Sequence, residues 1–457
     1  MSHPFVKNAL ACAALALTGV PPASAETPQS FRLITLDPGH FHAALVQRNM
    51  FPGVSPVVHI YAPEGPDLAL HLERIQRFNT RPENPTSWDS KVHTGPDFRD
   101  RMIAEKPGNI VVLAGNNRDK TRHILESVKA GFHVLSDKPM AITPADFKLL
   151  QEAYTIAKSN NLMLYDIMTE RHEITTQLQR FFGHQPEFFG SIDPGTPEDP
   201  SVTKESVHHF YKTVAGAPLQ RPAWFYDVTQ QGEGIVDVTT HLVDLVQWEV
   251  FPDRALGLND AKVLSAKTWT TRLTPAEFTR STKVEEFPAY LNSWKNADGN
   301  LDIPCNGEFT FVLDGVHAKV SVIWNYEAPA GGGDTHFSLL RGTKASAIIR
   351  QGAEQGYKPI LYLEARKGVD PVSLETALAK SVAAAAEMWP GITVEKTTAG
   401  WTVNIPAQYH LGHEAHFGKV AEKFLGYLKA GEMPDWEVPN ILAKYRTIMD
   451  AYTLSRK

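Results

Sequence analysis

The 457-residue sequence predicts an α/β chain in two parts: a parallel sheet layered with helices over 31–165, then an α+β part over 166–457 with a large, mostly antiparallel sheet. Three observations carry that expectation. Apolar β-branched runs alternate with helical periods in the first part, short alternating strands separated by turn residues fill the second, and 42% hydrophobic composition supplies a core for both.

The chain opens on Lys7, an apolar run from Ala9 to Val20 and the small-residue site Pro21-Pro22-Ala23-Ser24-Ala25. That pattern is expected to be a secretory signal peptide over 1–25, cleaved near Ala25 and sending the protein to the periplasm. The net charge of −6 becomes one unit more negative when Lys7 is lost. Nothing in it favours nucleic acid or an anionic membrane. Cys12 falls in the signal and Cys305 would stand alone, so no internal disulfide is expected.

Phe31 to Leu36 reads as the first strand and Val57 to Tyr61 as the second. Arg74 to Trp88 looks like an insertion, either a cover over a ligand or a surface loop that buries Trp88. Ile110 to Ala114 is a buried strand, Thr121 to Ala130 carries a helical period, Gly131 stops it, and Val134-Leu135 opens the next strand. This β-α-β unit implies parallel pairing. Ligands of such sheets sit beyond the carboxyl ends of the strands, where Asn116-Asn117 and Asp137-Lys138-Pro139 fall. Leu162 to Tyr165 closes the first part. In the second, Phe309–Leu313, Ala318–Trp324, Phe337–Leu340, Ala345–Ile349 and Leu361–Glu364 read as strands, with Ser191–Ser201 and Asn296–Pro304 as loops.

Between Gly232 and Asp244 the apolar residues Ile235, Val238, Leu242, Leu245 and Val246 recur as one helix stripe, so Asp237 and His241 share a neighbouring face. A carboxylate beside an imidazole fixes its tautomer, which suits a base that removes a hydroxyl proton. A buried helix start with a core histidine fits the same pattern.

Ser136-Asp137-Lys138-Pro139 resembles the E-K-P motif of the Gfo/Idh/MocA family (glucose-fructose oxidoreductase, inositol dehydrogenase, rhizopine catabolism), and Gly232 to Asp244 resembles its G-G-G…D-x-x-x-H-x-x-D helix, in family order. The likeness extends from about Phe31 to the C-terminus, and within the family it points to a branch of exported oxidoreductases with their own C-terminal domain. It implies a Rossmann dinucleotide-binding domain, closing helices that pack back on it, and a homo-oligomer formed through the C-terminal sheet. By the same likeness Lys138 and His241 would be catalytic, with Asp237 holding the substrate.

The cofactor fingerprint departs from the family. Asp37-Pro38-Gly39-His40-Phe41-His42 stands in place of G-x-G-x-x-G and keeps the middle glycine. The residues expected against a dinucleotide are Gly39, His40, Phe41, His42, Asn116, Asn117, Asp137, Lys138 and Pro139. After the second strand come Glu64 and Asp67 with no nearby Lys or Arg for a 2′-phosphate, so NAD is expected over NADP.

Candidate substrate residues are Glu170 and Arg171 after the last strand of the first part, His209, Trp224, Tyr226 and Asp244. Polar hydrogen-bonders beside aromatic faces suit a sugar, and core packing explains the aromatics equally. Among 18 histidines the clusters are His40 with His42, His208 with His209, and His410, His413 and His416. No carboxylate or cysteine completes a familiar ligand set, and no metal is expected. Three functions stay open: an NAD-dependent oxidoreductase on a sugar or polyol hydroxyl, an NAD-dependent glycosidase working by transient oxidation and elimination, and a non-catalytic sugar-binding protein.

Overall fold

The computed structural model describes residues 31–214 and 217–457, so the expected signal segment lies outside the described residues. In the first part strands β1 (Leu33–Leu36), β2 (Val57–Ala62), β3 (Asp89–Thr94), β4 (Ile110–Leu113), β5 (His133–Asp137) and β6 (Leu164–Ile167) alternate with helices α1 (His42–Val46), α2 (Pro66–Thr80), α3 (Phe98–Glu105), α4 (Asn117–Lys129) and α5 (Pro144–Ser159). The strands pair in the order β3-β2-β1-β4-β5-β6, parallel throughout. Every residue of β1 and β4 is buried, because helices cover both faces of such a sheet and leave no polar side for alternation. Arg74 to Thr80 are the end of α2 and the rest of the stretch is loop, with Trp88 buried and its Nε1 donating to Gln47 O at 2.6 Å.

The second part adds α6 (Ile174–Gly183), β7 (Val202–Tyr211), a short hairpin β8 (Thr213–Val214) and β9 (Ala217–Pro218), α7 (Val228–Gln231), α8 (Thr239–Val250), β10 (Ala261–Leu273), α9 (Pro275–Thr282), β11 (Leu301–Leu313), β12 (Val316–Glu327), β13 (Thr335–Arg341), β14 (Ala345–Gln351), β15 (Ile360–Ala365), α10 (Pro371–Met388), β16 (Thr393–Lys396), β17 (Trp401–Asn404), α11 (His413–Ala430) and α12 (Glu437–Leu454). Nine strands order as β10-β11-β12-β7-β13-β14-β15-β17-β16, antiparallel except where β12 meets β7. Leu301 to Pro304, expected in a loop, already belong to β11. Among the described residues no helix is long and apolar enough to cross a membrane.

The two sheets are joined by the last helices. α11 lies on α1 and β6, while α12 lies on α5, α8 and β10. Buried charges fix that docking: Lys444 Nζ sits 2.9 Å from Asp166 and 3.0 Å from Asp244, and Arg171 makes a two-pronged pair with Asp244 at 2.6 and 2.7 Å and reaches Glu437 at 3.0 Å. Burial alone would push the Asp244 carboxyl up, but Arg171 and Lys444 hold it well below the usual carboxylate range. Removing one member would leave an unpaired buried charge, at a cost of about 3–5 kcal/mol.

Candidate active site

Lys138 leaves the carboxyl end of β5, and the stretch before α8 crosses β11 to meet it. That crossing is close: a Cβ on Gly234 would lie 2.0 Å from Cys305 O, so no larger residue fits there. It brings Asp237 to Lys138, with Asp237 Oδ1 accepting from Lys138 Nζ at 2.7 Å. α8 begins at Thr239, so Asp237 precedes the helix instead of sharing its face with His241. The expected carboxylate–imidazole pairing is therefore replaced by a carboxylate–ammonium pairing. His241 Nδ1 is buried and has no partner among the described residues. Burial, reinforced by the charge of Lys138, pulls the His241 imidazole down to about 4, which keeps it neutral at pH 7.

Lys138, Asp237 and His241 line one cavity of about 960 Å³. Its other walls hold residues that the sequence singled out, Glu170, His209, His40, Phe41 and His42, together with Lys212, His413 and Asp334. Asp334, from the glycine-rich loop before β13, accepts from His209 Nδ1 at 2.9 Å and from Lys212 Nζ at 2.5 Å. Burial presses the Glu170 carboxyl upward, but the hydrogen bond and charge of His413 outweigh it and hold Glu170 well below the usual range. Asp334 was marked only by its glycine-rich loop and Lys212 by nothing beyond composition, because strand pairing of β7 with β13 brings their segments together.

Four candidates fall elsewhere. Arg171 and Asp244 spend their polar atoms on each other and on Glu437 and Lys444, so they hold the fold and do not face substrate. Tyr226 is fully buried with its hydroxyl donating to Ser281 Oγ at 2.7 Å. Trp224 lines a second cavity of about 460 Å³ beyond the end of β2 and donates from Nε1 to Asp67 Oδ2 at 2.7 Å.

The remaining cofactor candidates are brought together but covered. Asp37 adopts φ 49° where the fingerprint has its first glycine, a conformation that Asp tolerates better than most side chains. Gly39 keeps its room, yet its own chain takes it: a Cβ there would lie 3.1 Å from both Asp67 Oδ2 and Trp224 Cζ2. Asn116 Nδ2 donates to Gln230 Oε1 and Asn117 Nδ2 to Gln231 O, each at 2.7 Å, which straps α7 to the start of α4. Pro139 follows a cis peptide and leads to Met140, whose N–H donates to Tyr445. The two cavities lie on either side of Gly39, where Trp224 and the Asp67 carboxylate narrow the neck between them. Burial and the charges of Asp67 and Asp119 push Asp37 up to about 6.

Similarity to known proteins agrees with this architecture. Residues 178–456 match the family model described as "Putative oxidoreductase C terminal domain". A solved structure described as a putative oxidoreductase from Parabacteroides merdae is 53% identical, covers 94% of this chain and 98% of its own, and superposes with a TM-score of 0.92. The chain belongs to the Gfo/Idh/MocA-type oxidoreductases that carry this C-terminal domain. D-glucoside 3-dehydrogenase of Escherichia coli K12 is 26% identical over 183 residues, which are 39% of this chain and 43% of that enzyme's length. The fold is also shared with levoglucosan dehydrogenase in complex with NADH and levoglucosan, at 14% identity, TM-score 0.56, and coverage of 93% and 97%.

Proposed function

We propose that the protein oxidises a carbinol of a sugar or sugar derivative, or reduces the matching ketone, in the cavity lined by Lys138, Asp237 and His241. The observation that carries this is the 2.7 Å pairing of Lys138 with Asp237 beside a neutral buried imidazole in a cavity large enough for a sugar. A carbinol loses hydride only as its hydroxyl proton leaves, so an acceptor within reach is required. His241 takes that proton. Lys138 stabilises the developing alkoxide, and Asp237 holds the ammonium in place. Glu170, His209 and Asp334 supply hydrogen-bond partners for the remaining hydroxyls.

The hydride carrier of this reaction is a nicotinamide dinucleotide, the cofactor named for levoglucosan dehydrogenase. Glu64 and Asp67 in the second cavity favour NAD over NADP, because a 2′-phosphate would meet carboxylates there. The side chains of Trp224 and Asp67, which pack against Gly39, would move aside for the carrier to span both cavities. The dehydrogenase of E. coli supports glucosides as the first substrates to try.

The test is a stopped assay of NADH formed from NAD with methyl glucosides and free sugars, with the ketone product identified by mass. Stoichiometric ketone and NADH are expected. No hydride transfer in either direction across a panel of sugars and their ketones, with dinucleotide shown to be bound, would overturn the proposal.

A further inference from the structure

The departure from the glycine fingerprint puts two imidazoles where the family keeps backbone open for phosphate, and the fold brings a carboxylate to them. His40 and His42 flank the start of α1, and Asp137 ends β5, 95 residues further along the chain. His42 Nδ1 lies 2.9 Å from Asp137 Oδ2 and His40 Nδ1 lies 3.9 Å from the same oxygen. One ligand atom from each of the three residues falls within 4.8 Å of the others. Ligand atoms around a tetrahedral ion bound at about 2.1 Å stand about 3.4 Å apart, so these separations bracket the required one. The sequence shows no such set, because the completing carboxylate is remote in the chain.

We propose that His40, His42 and Asp137 bind one divalent transition-metal ion, zinc or a neighbour of similar size. Two imidazoles and a carboxylate with a free fourth position make the donor set of catalytic zinc sites. The surroundings suit it. His42 is 7% and Asp137 3% exposed, so the ligands are held by packing and not by solvent. Phe41, Phe225 and Phe417 ring the two imidazoles, His40 lying 4.7 Å from Phe41 and His42 lying 4.4 Å from Phe417, which fixes their orientation. Lys120 donates to the main-chain oxygen of Asp137 and not to its carboxylate, and the Lys138 ammonium is matched by Asp237. His40 and His42 line the same cavity as Lys138 and His241. The open position of the ion therefore faces that cavity, where it would bind a substrate oxygen. This last role rests on the proposed sugar chemistry; the binding of the ion does not.

The experiment uses the full chain, stripped with chelator and titrated with zinc(II) alone by calorimetry, with metal content measured after dialysis. One ion per chain and a rise in Tm on zinc addition are expected. The double variant His40→Ala/His42→Ala and the single variant Asp137→Asn should each lose at least about 100-fold in zinc affinity and the Tm rise. Lys138→Ala should keep both. Cobalt(II) loading provides a second readout: a four-coordinate visible spectrum in wild type, and none in the double variant. Zinc affinity unchanged in the double variant, or less than one-tenth of an ion per chain, would overturn the proposal. Because uptake is measured without dinucleotide or sugar, failure of sugar oxidation leaves the metal result standing, and the reverse also holds.

Discussion

The corner at Lys138 and the neck at Gly39 lie on the same edge of one parallel sheet, yet they have diverged to opposite degrees. At the corner, Lys138, Asp237 and His241 are close together and open to a large cavity. At the neck, Gly39 packs against Trp224 and the Asp67 carboxylate and is followed by the imidazoles of His40 and His42. Proton chemistry on the substrate depends on a few side chains at short range, whereas holding a dinucleotide needs an unobstructed strip of backbone. The two demands can be kept or lost separately within one fold.

Substitution at the corner should have the largest effect. Lys138→Ala or His241→Ala is expected to lower kcat for sugar oxidation about 1,000-fold, near 4 kcal/mol, with Tm little changed. Activity within a few-fold of wild type would show that the corner is a relic of ancestry and not the working site.

Acid comes next. Burial pulls His71 down to about 3, and His123, His172, His241, His336 and His416 down to about 4. These groups bind protons in the unfolded chain below about 6.5 but stay neutral in the folded one until about pH 4. Folding free energy from them is therefore complete above pH 6.5 and is lost as pH falls through that window. Asp37, pushed up to about 6, opposes this together with Asp67, Asp166, Glu173, Glu233 and Glu249, which burial raises. His40, His42, His59, His133 and His208, lowered by burial, and Glu170, Asp244 and Asp334, held low by their partners, act with the six. Tm measured at pH 7.5, 5.5 and 4.5 should drop at each step, and a flat profile would mean that the histidines are hydrated in solution.

The neck should respond more modestly, and with gain instead of loss. Trp224→Ala removes the ring over Gly39 and is expected to tighten NAD binding about 10-fold, or about 1.4 kcal/mol, read by fluorescence titration of NADH. No change in affinity would place the obstruction elsewhere. Smallest is Asp37→Gly, which restores the glycine suited to φ 49° and deletes a carboxylate; affinity should rise two- to three-fold and stability should rise by less than about 1 kcal/mol.

How much of this was legible in the sequence follows from the range of the interactions. The strands of the first sheet were readable because burial on both faces makes them continuous apolar runs, as in β1 and β4. Lys138 and His241 were reachable through motif likeness. The fate of Asp237 was not, because its partner is a lysine 99 residues away and no local period reveals it. Arg171 and Asp244 looked like substrate contacts for the same reason: a polar side chain reads alike whether it meets a ligand or, as here, buried charges of α12, Glu437 for Arg171 and Lys444 for Asp244. Asp334 was visible as a carboxylate in a glycine-rich loop, but its two partners are set by sheet register.

The hydroxyl of Tyr445 accepts from Met140 N–H and donates to Asp166, beside Lys444. The loop that carries Lys138 is thus clamped by α12, whose Tyr445 lies 305 residues beyond Met140. During synthesis that clamp leaves the ribosome after everything it fastens. A chain that lacks α12 would therefore leave the Lys138 loop without its Tyr445 contact and Asp166 without Lys444.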